Sequence, residues 1–175
     1  MKLALKTLVI AFAAATAVPA AFADTASDGT VHITGTIKQN ACTVENNSVN
    51  VVLKDEFASV FTAAGQTSGD KEFTIDLKDC DSQIYSRVQT RFEGTLDGSD
   101  PTILKNTQGN AGGVGVQILD NGTAMTINNE SAWSSEFTIS GTTAKIPFTA
   151  RYISTATAVT AGSVDTTATF YLQYN

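Results

Sequence analysis

Few residues of the 175-residue chain could carry catalytic chemistry, because it contains one histidine and two cysteines. His32 would have to be the base of any Ser-His-Asp triad, but it lies on the polar face of an alternating segment, and nothing nearby resembles a nucleophile elbow. We therefore expect His32 to be a solvated residue. The sequence predicts that the protein is not an enzyme and has no catalytic residues.

Metal and phosphate sites are also disfavoured. Asp76, Asp79 and Asp81 cluster around Cys80, but their spacing does not match an EF-hand loop, and solvated loop carboxylates are the simpler interpretation. The glycines of Gly109–Gly115 are followed by neither a Lys-Ser/Thr pair nor a helix, both of which a phosphate-binding loop needs. The sequence thus predicts no metal and no cofactor.

Composition indicates one folded, β-rich domain. Hydrophobic residues make up 42% of the chain and charged residues 16%, which is apolar enough to bury a core. Thr, Ala, Ser, Val and Gly are abundant, as in strand-rich proteins. The net charge is −6 and the basic residues do not cluster, so we expect no nucleic-acid partner.

The first 23 residues have the pattern of a secretion signal. Lys2 and Lys6 precede an apolar run, Leu8–Val18, and Ala21-Phe22-Ala23 offers small residues where a signal peptidase needs them. A membrane anchor is the alternative, but the uncharged run of 17 residues is short for a bilayer span. We predict cleavage after Ala23 and export of the remainder.

Export makes the two cysteines interpretable. An oxidising compartment and an even count of cysteines favour a disulfide between Cys42 and Cys80. The competing interpretation, a reactive thiol, needs a basic neighbour, whereas Asp79 and Asp81 flank Cys80 and disfavour a thiolate. The sequence therefore predicts a disulfide.

Apolar and polar residues alternate with a period of two along most of the exported chain, which predicts strands. Asn121-Gly122 predicts a hairpin, Pro147 indicates an edge, a bulge or a sheet-switching point inside one strand, and Phe57–Ala64 could hold a helical turn. The turns recur at roughly the spacing of a β-sandwich. The predicted strands are Thr30–Ile37, Val49–Leu53, Glu72–Lys78, Val88–Phe92, Gly115–Leu119, Ala124–Ile127, Glu136–Ile139, Lys145–Ile153 and Thr166–Tyr174.

The two ends of this pattern are unusual. One alternating strand stands ahead of the first cysteine, and another ends the chain with no residues left to form a neighbour beside it. An ordinary immunoglobulin-like sandwich would supply that neighbour. We infer that the fold is one strand short and that the N-terminal strand is lent to another molecule.

Several stretches, in order, resemble the fimbrial subunits of the chaperone–usher family, in particular the major pilins of type 1 fimbriae. Gly162, the fourteenth residue from the C-terminus, and the penultimate Tyr174 match the family's C-terminal signature. The matching stretches are Gly29–His32, Leu77–Asp81 (LKDCD), Val114–Asp120 (VGVQILD), Ile146–Tyr152 (IPFTARY) and Ala168–Tyr174 (ATFYLQY).

The resemblance implies an all-β fold, an incomplete immunoglobulin-like β-sandwich that lacks its last strand and is completed by a donor strand. In this family a periplasmic pilus chaperone first supplies that strand, and at the outer-membrane usher the N-terminal extension of a neighbouring pilin subunit replaces it. The resemblance further implies export through the periplasm and a structural role in a fimbrium on the bacterial cell surface that mediates adhesion.

The resemblance also implies roles for individual residues. The signal peptide would be residues 1–23, the donor-strand extension 24–38 and the pilin domain 39–175, with Cys42 and Cys80 as the pilin disulfide. Gly35 would occupy a constricted pocket that accepts only a small residue. The donor face would be Val31, Ile33, Gly35 and Ile37, and the groove that receives the chaperone or the donor would include Gly162, Ala168, Phe170, Leu172 and Tyr174.

A minor adaptor or tip subunit with carbohydrate-binding (lectin) activity is the alternative function. Trp133, together with Tyr85 or Tyr152, could stack on a sugar, although a lone tryptophan more often packs in a core. The usual tip adhesin of the family carries an additional receptor-binding domain, for which this chain has no room.

Overall fold

A computed structural model describes residues 29–37, 42–98 and 100–175. The chain divides into two units, Met1–Ile37 and Lys38–Asn175. The predicted signal peptide, residues 1–23, lies outside the described residues.

Nine strands and one 3-10 turn form the regular structure of the described part of Lys38–Asn175. Buried and more exposed side chains alternate along three of the longer strands, Arg87–Gly94, Ala144–Ser154 and Ala168–Tyr174, whereas Val114–Leu119 is buried on both faces. The elements are β1 (Thr43–Val44), the 3-10 turn (Ala58–Val60), β2 (Thr67–Lys78), β3 (Arg87–Gly94), β4 (Leu104–Lys105), β5 (Val114–Asp120), β6 (Thr123–Ala124), β7 (Phe137–Thr138), β8 (Ala144–Ser154) and β9 (Ala168–Tyr174).

The strands form two antiparallel sheets that face each other. The larger sheet runs β1-β2-β8-β5-β4, with β6 added beside β5, and the smaller sheet runs β7-β3-β9. Phe92 of the smaller sheet meets Phe148 of the larger one edge to face, with ring centroids 5.0 Å apart. Ile75, Val88 and Ile146 are buried in the same cluster, so the core lies between the two sheets.

Pro147 lies inside β8, as predicted, and its neighbours explain why it is tolerated there. β8 pairs with β2 along most of its length, and Pro147 stands opposite Thr74. β5 pairs with β8 only from Thr149 to Ser154. At Pro147 the strand is therefore locally an edge on the β5 side, where a missing N–H costs no ladder hydrogen bond.

Two predicted strands are not strands in the structure. The alternating segment Thr30–Ile37 and the β-branched run Val49–Leu53 have no strand assignment. A strand is defined by its ladder partner, and neither segment has one among the described residues. The helical turn expected within Phe57–Ala64 is confirmed at Ala58–Val60.

A disulfide joins Cys42 to Cys80, which are 38 positions apart in the chain and both buried. It fixes the start of β1 beside the end of β2, where Val44 pairs with Leu77. No helix within the described ranges is long and apolar enough to cross a membrane.

Replacing both cysteines, in a Cys42→Ala/Cys80→Ala variant, should lower the free energy of unfolding by about 4 kcal/mol, because the unfolded chain then regains the entropy of a loop of this length. Guanidinium unfolding of the purified protein measures the change. Reduction of the unmodified protein should give a similar loss, and an unaltered midpoint would show that the disulfide does not stabilise the fold.

Candidate functional site

The last strand, β9, is an edge strand. On one side it pairs with β3, from Ala168 opposite Gly94 to Tyr174 opposite Val88. Among the described strands none pairs with its other side. The backbone N–H and C=O groups along that side therefore have no ladder partner, and exposed edges of this kind readily accept another chain.

A groove of about 1380 Å³ runs beside this open edge. Ala168 and Phe170 of β9 lie on one side of it, and residues 47–56, between β1 and the 3-10 turn, lie on the other. The floor consists of core side chains from both sheets, among them Ile75, Phe92 and Val116. Because the floor is apolar and one side is an open backbone edge, the groove suits an extended segment with alternating apolar side chains.

The segment of residues 47–56 is itself unpaired. Val49, Val51 and Leu53 are half-buried and pack against the core, whereas Val52 between them is exposed. In the described chain no backbone hydrogen bond joins residues 46–56 to a strand. Both sides of the groove thus offer backbone groups without ladder partners, and an extended chain laid between them would pair with both.

The five groove residues named from the sequence divide into two sets. Gly162, Ala168 and Phe170 line the groove. Leu172 and Tyr174 share the inward face of β9 and pack against the core, but they lie outside the lining of the groove. The ring of Tyr174 contacts that of Tyr85 at 5.9 Å between centroids.

Gly162 lies where two loops meet too closely for a side chain. A Cβ at this position would stand 2.4 Å from Asn110 Oδ1 and 2.6 Å from the Ala111 nitrogen. The same Asn110 oxygen accepts a hydrogen bond of 2.7 Å from the backbone N–H of Ser163. Glycine at 162 therefore allows the loop that precedes β9 to pack against residues 106–112.

Asn106 is the other centre of this loop contact, and the sequence did not reveal its role. Its Nδ2 donates to the carbonyl oxygens of Ala111 and Ser163, and its Oδ1 accepts from the N–H groups of Gly109 and Asp165. The hydrogen bonds fix one end of the groove. The only available signal was the Asn/Gly-rich composition of residues 106–113, which indicates turns but not their partners.

The four residues of the predicted donor face belong to the other unit, in which residues 29–37 are described. Val31, Ile33 and Ile37 are each at least 86% exposed. Three β-branched apolar side chains on one face are rarely this exposed in a soluble domain. A Cβ built on Gly35 would meet no atom within 4 Å. The predicted constricted pocket for Gly35 stays a prediction.

The residues considered for other chemistry are not brought together. His32 is exposed, and Asp76 accepts a hydrogen bond of 3.0 Å from Lys145 Nζ. Within the described ranges no three His, Cys, Asp or Glu side chains are grouped as a metal ion would need. Trp133 has the Arg91 guanidinium 5.5 Å from its ring centroid, whereas Tyr152 lines the groove.

Arg91 organises the outer face of the smaller sheet. Its guanidinium lies 4.1 Å from the centroid of the Tyr171 ring and forms an ion pair with Glu93. The hydrogen bond from Arg91, with a second from Tyr171, lowers the pKa of the Glu93 carboxyl. The hydrogen bond that the Tyr171 hydroxyl donates to Glu93 raises the pKa of that hydroxyl. This polar face is turned away from the core, so the groove and the charged cluster occupy different sides of β9.

These features define a class: a β-sandwich with an open edge strand and an unfilled apolar groove beside it. A family model described as "Fimbrial protein" matches residues 31–175. Among curated relatives, the type-1 fimbrial protein A chain of Escherichia coli is 36% identical, over 99% of this chain and 100% of its own length. The fimbrial subunit type 1 of Klebsiella pneumoniae is also 36% identical, with the same coverage of both chains.

Solved structures agree on the fold. The crystal structure of the P pilus rod subunit PapA aligns with a TM-score of 0.67, covering 78% of this chain and 100% of that one at 18% identity. The chain belongs to the fimbrial protein family and is a structural pilin subunit, not an enzyme. The predicted incomplete immunoglobulin-like sandwich is thereby confirmed, and the carbohydrate-binding tip subunit is not favoured.

Alkaline pH should destabilise the subunit through two tyrosines. Burial raises the pKa of Tyr152, with Asp55 and Glu56 adding to the effect, and burial raises the pKa of Tyr174. The unfolded tyrosines ionise near their ordinary pKa of 10.0, and the folded ones ionise above it. Their contribution to the free energy of unfolding is therefore complete below pH 10 and is lost as pH rises through the folded pKa values.

Urea unfolding between pH 9 and pH 11.5 measures this loss. In a Tyr152→Phe/Tyr174→Phe variant the free energy of unfolding should fall less steeply over the same range. An identical slope in the variant and the unmodified protein would contradict the assignment.

Proposed function

We propose that the protein polymerises by donor-strand exchange, in which the extension 24–38 of one subunit fills the groove beside β9 of the next. The observation that carries this proposal is the open edge of β9 above an apolar groove. β-augmentation uses the backbone edge for affinity and the apolar pockets for specificity. The chain's own donor face, Val31 to Ile37, has the matching alternation.

The lengths of the two segments suggest their register. The donor face from Val31 to Ile37 and the strand β9 from Ala168 to Tyr174 each contain seven residues, about 20 Å when extended. In an antiparallel pairing Val31 stands beside Tyr174, Gly35 beside Phe170 and Ile37 beside Ala168. The half-buried Phe170 ring lines the groove, which gives a physical reason for a glycine at position 35.

The energetics favour a joint that dissociates slowly. Burying Val31, Ile33 and Ile37 contributes about 1.5–3 kcal/mol each, on the order of 5–9 kcal/mol together. Each ladder hydrogen bond adds roughly 0.5–1.5 kcal/mol, and both sides of the groove offer partners. Ordering the donor segment and joining two molecules offset part of this gain.

The antiparallel direction also suits a growing filament. The pilin domain begins beside Cys42, at the end of the sandwich where β9 finishes and Ser86 N–H donates to the Asn175 carbonyl. A donor that enters antiparallel leaves the neighbour's groove at the opposite end, near Ala168. Each subunit then donates from one end and accepts at the other, so the contact is heterologous and does not close.

The assembly route follows from the unpaired edge of β9 beside the groove. A subunit with an unfilled groove exposes an aggregation-prone edge, so it needs a temporary strand before it meets its neighbour. We propose that residues 1–23 direct export, that a periplasmic chaperone covers the groove of the pilin domain 39–175, and that an outer-membrane usher exchanges it for the next subunit's extension. The product is a fimbrium on the cell surface.

An Ile33→Asp substitution should lower the yield of fibres at least tenfold. It removes the burial of one apolar side chain and puts a charge in the apolar groove. The matched control is Thr34→Asp, which adds the same charge one residue further along, on the face turned away from the groove. Electron microscopy of surface fibres and gels of SDS-resistant polymers give the yield.

Equal loss of fibres in both variants would show that charge, and not burial of one face, limits assembly. Deletion of residues 24–38 provides the broader test. Normal fibres from the deleted chain would overturn strand donation by this segment.

A Gly35→Leu substitution should slow polymerisation at least tenfold while complexes of the subunit with its chaperone persist, because the donor's own residue 35 is not used in those complexes. Thr36→Leu adds the same side chain on the opposite face and should polymerise at the unmodified rate. Time courses of polymer formation from purified chaperone complexes measure both variants. Unchanged kinetics for Gly35→Leu would exclude a tight contact between residue 35 and Phe170.

A further inference from the structure

The two ends of the sandwich carry different exposed surfaces. At one end, here called the mouth end (residues 55–65, 106–112 and 158–165), Ser154 closes β8 by accepting the Gly65 N–H at 2.8 Å, and Gly112 pairs with Thr160. At the other, the disulfide end (residues 42, 78–86, 139–143 and 175), the Cys80 N–H donates to the Thr142 carbonyl at 3.1 Å.

Both ends expose large apolar side chains. Phe57, which precedes the 3-10 turn, is 80% exposed at the mouth end, and Val60 beside it is exposed as well. At the disulfide end Ile84 is 47% exposed, in the turn where its N–H donates to the Asp81 carbonyl. Neighbouring exposed apolar side chains mark a contact surface more often than a single one does. Phe57 and Val60 form such a pair at the border of the groove.

The length of the chain between the donor face and the pilin domain decides what covers these side chains. Five Cα steps separate Ile37 from Cys42, which span at most about 18 Å. The five strands from β1 to β4 in the larger sheet span about 19 Å, from the four spacings between neighbouring strands. When Ile37 of one subunit lies beside Ala168 of the next, Cys42 at the donor's disulfide end therefore stands within about 18 Å of the acceptor's mouth end, a separation no larger than the width of the sheet.

We propose that consecutive subunits make a second contact besides the donor strand, in which the surface around Ile84 of the donor packs against Phe57 and Val60 of the acceptor. This inference rests on the proposed function, because it needs the donor strand to place the two ends together. The partner is a second copy of this chain.

The mouth end is suited to be one half of such a contact because its loops are fixed. Asn106 bridges residues 109–111 to 163–165 with four hydrogen bonds, and Asn110 adds two from Ser163. A surface that is already ordered loses little entropy when it is covered. The contact would set the angle between neighbouring subunits, which the donor strand alone leaves free to vary.

Cross-linking of assembled fibres tests the contact. The described residues contain no free cysteine, so in a Phe57→Cys/Ile84→Cys variant a short bismaleimide reacts at the introduced thiols. Heating in SDS then separates donor strands but not cross-links. We expect a ladder of covalent multimers, at least tenfold more abundant than in a Glu72→Cys/Ile84→Cys control, since Glu72 is exposed in the middle of β2, opposite Thr149, and lies outside the groove.

Normal fibres without a ladder would overturn the contact and leave strand exchange intact. Dimers from Ile84→Cys alone would overturn it too, since they indicate that two disulfide ends meet and that the donor lies parallel to β9. If the cysteine variant fails to assemble, Phe57→Ser is the deciding variant. Its fibres should have at most half the persistence length of Glu72→Ser fibres in electron micrographs, and equal stiffness would refute the proposal. Absence of fibres from the unmodified chain would instead refute the proposed function.

Discussion

The structure depends on one unmet requirement, the need of backbone amides and carbonyls for hydrogen-bond partners. β9 meets that requirement on its β3 side and not on the other. The core beneath it is affected as well, because Phe170 and Leu172 remain half-buried where a complete sandwich would cover them. Protein sheets usually protect such edges with charge, proline or a bulge. Here the inner face of the edge strand is apolar, with Ala168, Phe170, Leu172 and Tyr174 packed against the core.

This requirement connects parts of the molecule that are distant in sequence. The segment 47–56, on the other side of the groove from β9, likewise has no strand partner among the described residues. The hydrogen bonds of Asn106 and Asn110 hold the loop before β9 in place at one end of the groove, and the disulfide holds the start of β1 at the other. The groove is therefore fixed at both ends.

Much of this arrangement could be predicted from the sequence, because it depends on local alternation and on two cysteines. The inward face of β9, the hairpin at Asn121-Gly122 and the Cys42–Cys80 disulfide are all confirmed. The strand predicted at Val49–Leu53 was wrong because pairing depends on a neighbour that the sequence pattern does not supply. The contacts of Asn106 could not be predicted either, since they join residues more than fifty positions apart through side-chain geometry.

The position of the disulfide matters when the filament is stretched. Under the proposed strand exchange, a pull on the donor segment would reach the pilin domain at Cys42, the first of its described residues to be buried, and the covalent bond to Cys80 would pass the tension directly into the end of β2. Without that bond the same pull would peel β1 and residues 47–56 away from the core one residue at a time, and one side of the groove that grips the neighbouring subunit would be lost. In such a filament the cross-link would let each subunit bear load in shear across its long strands and stay bound to the neighbour on its other side.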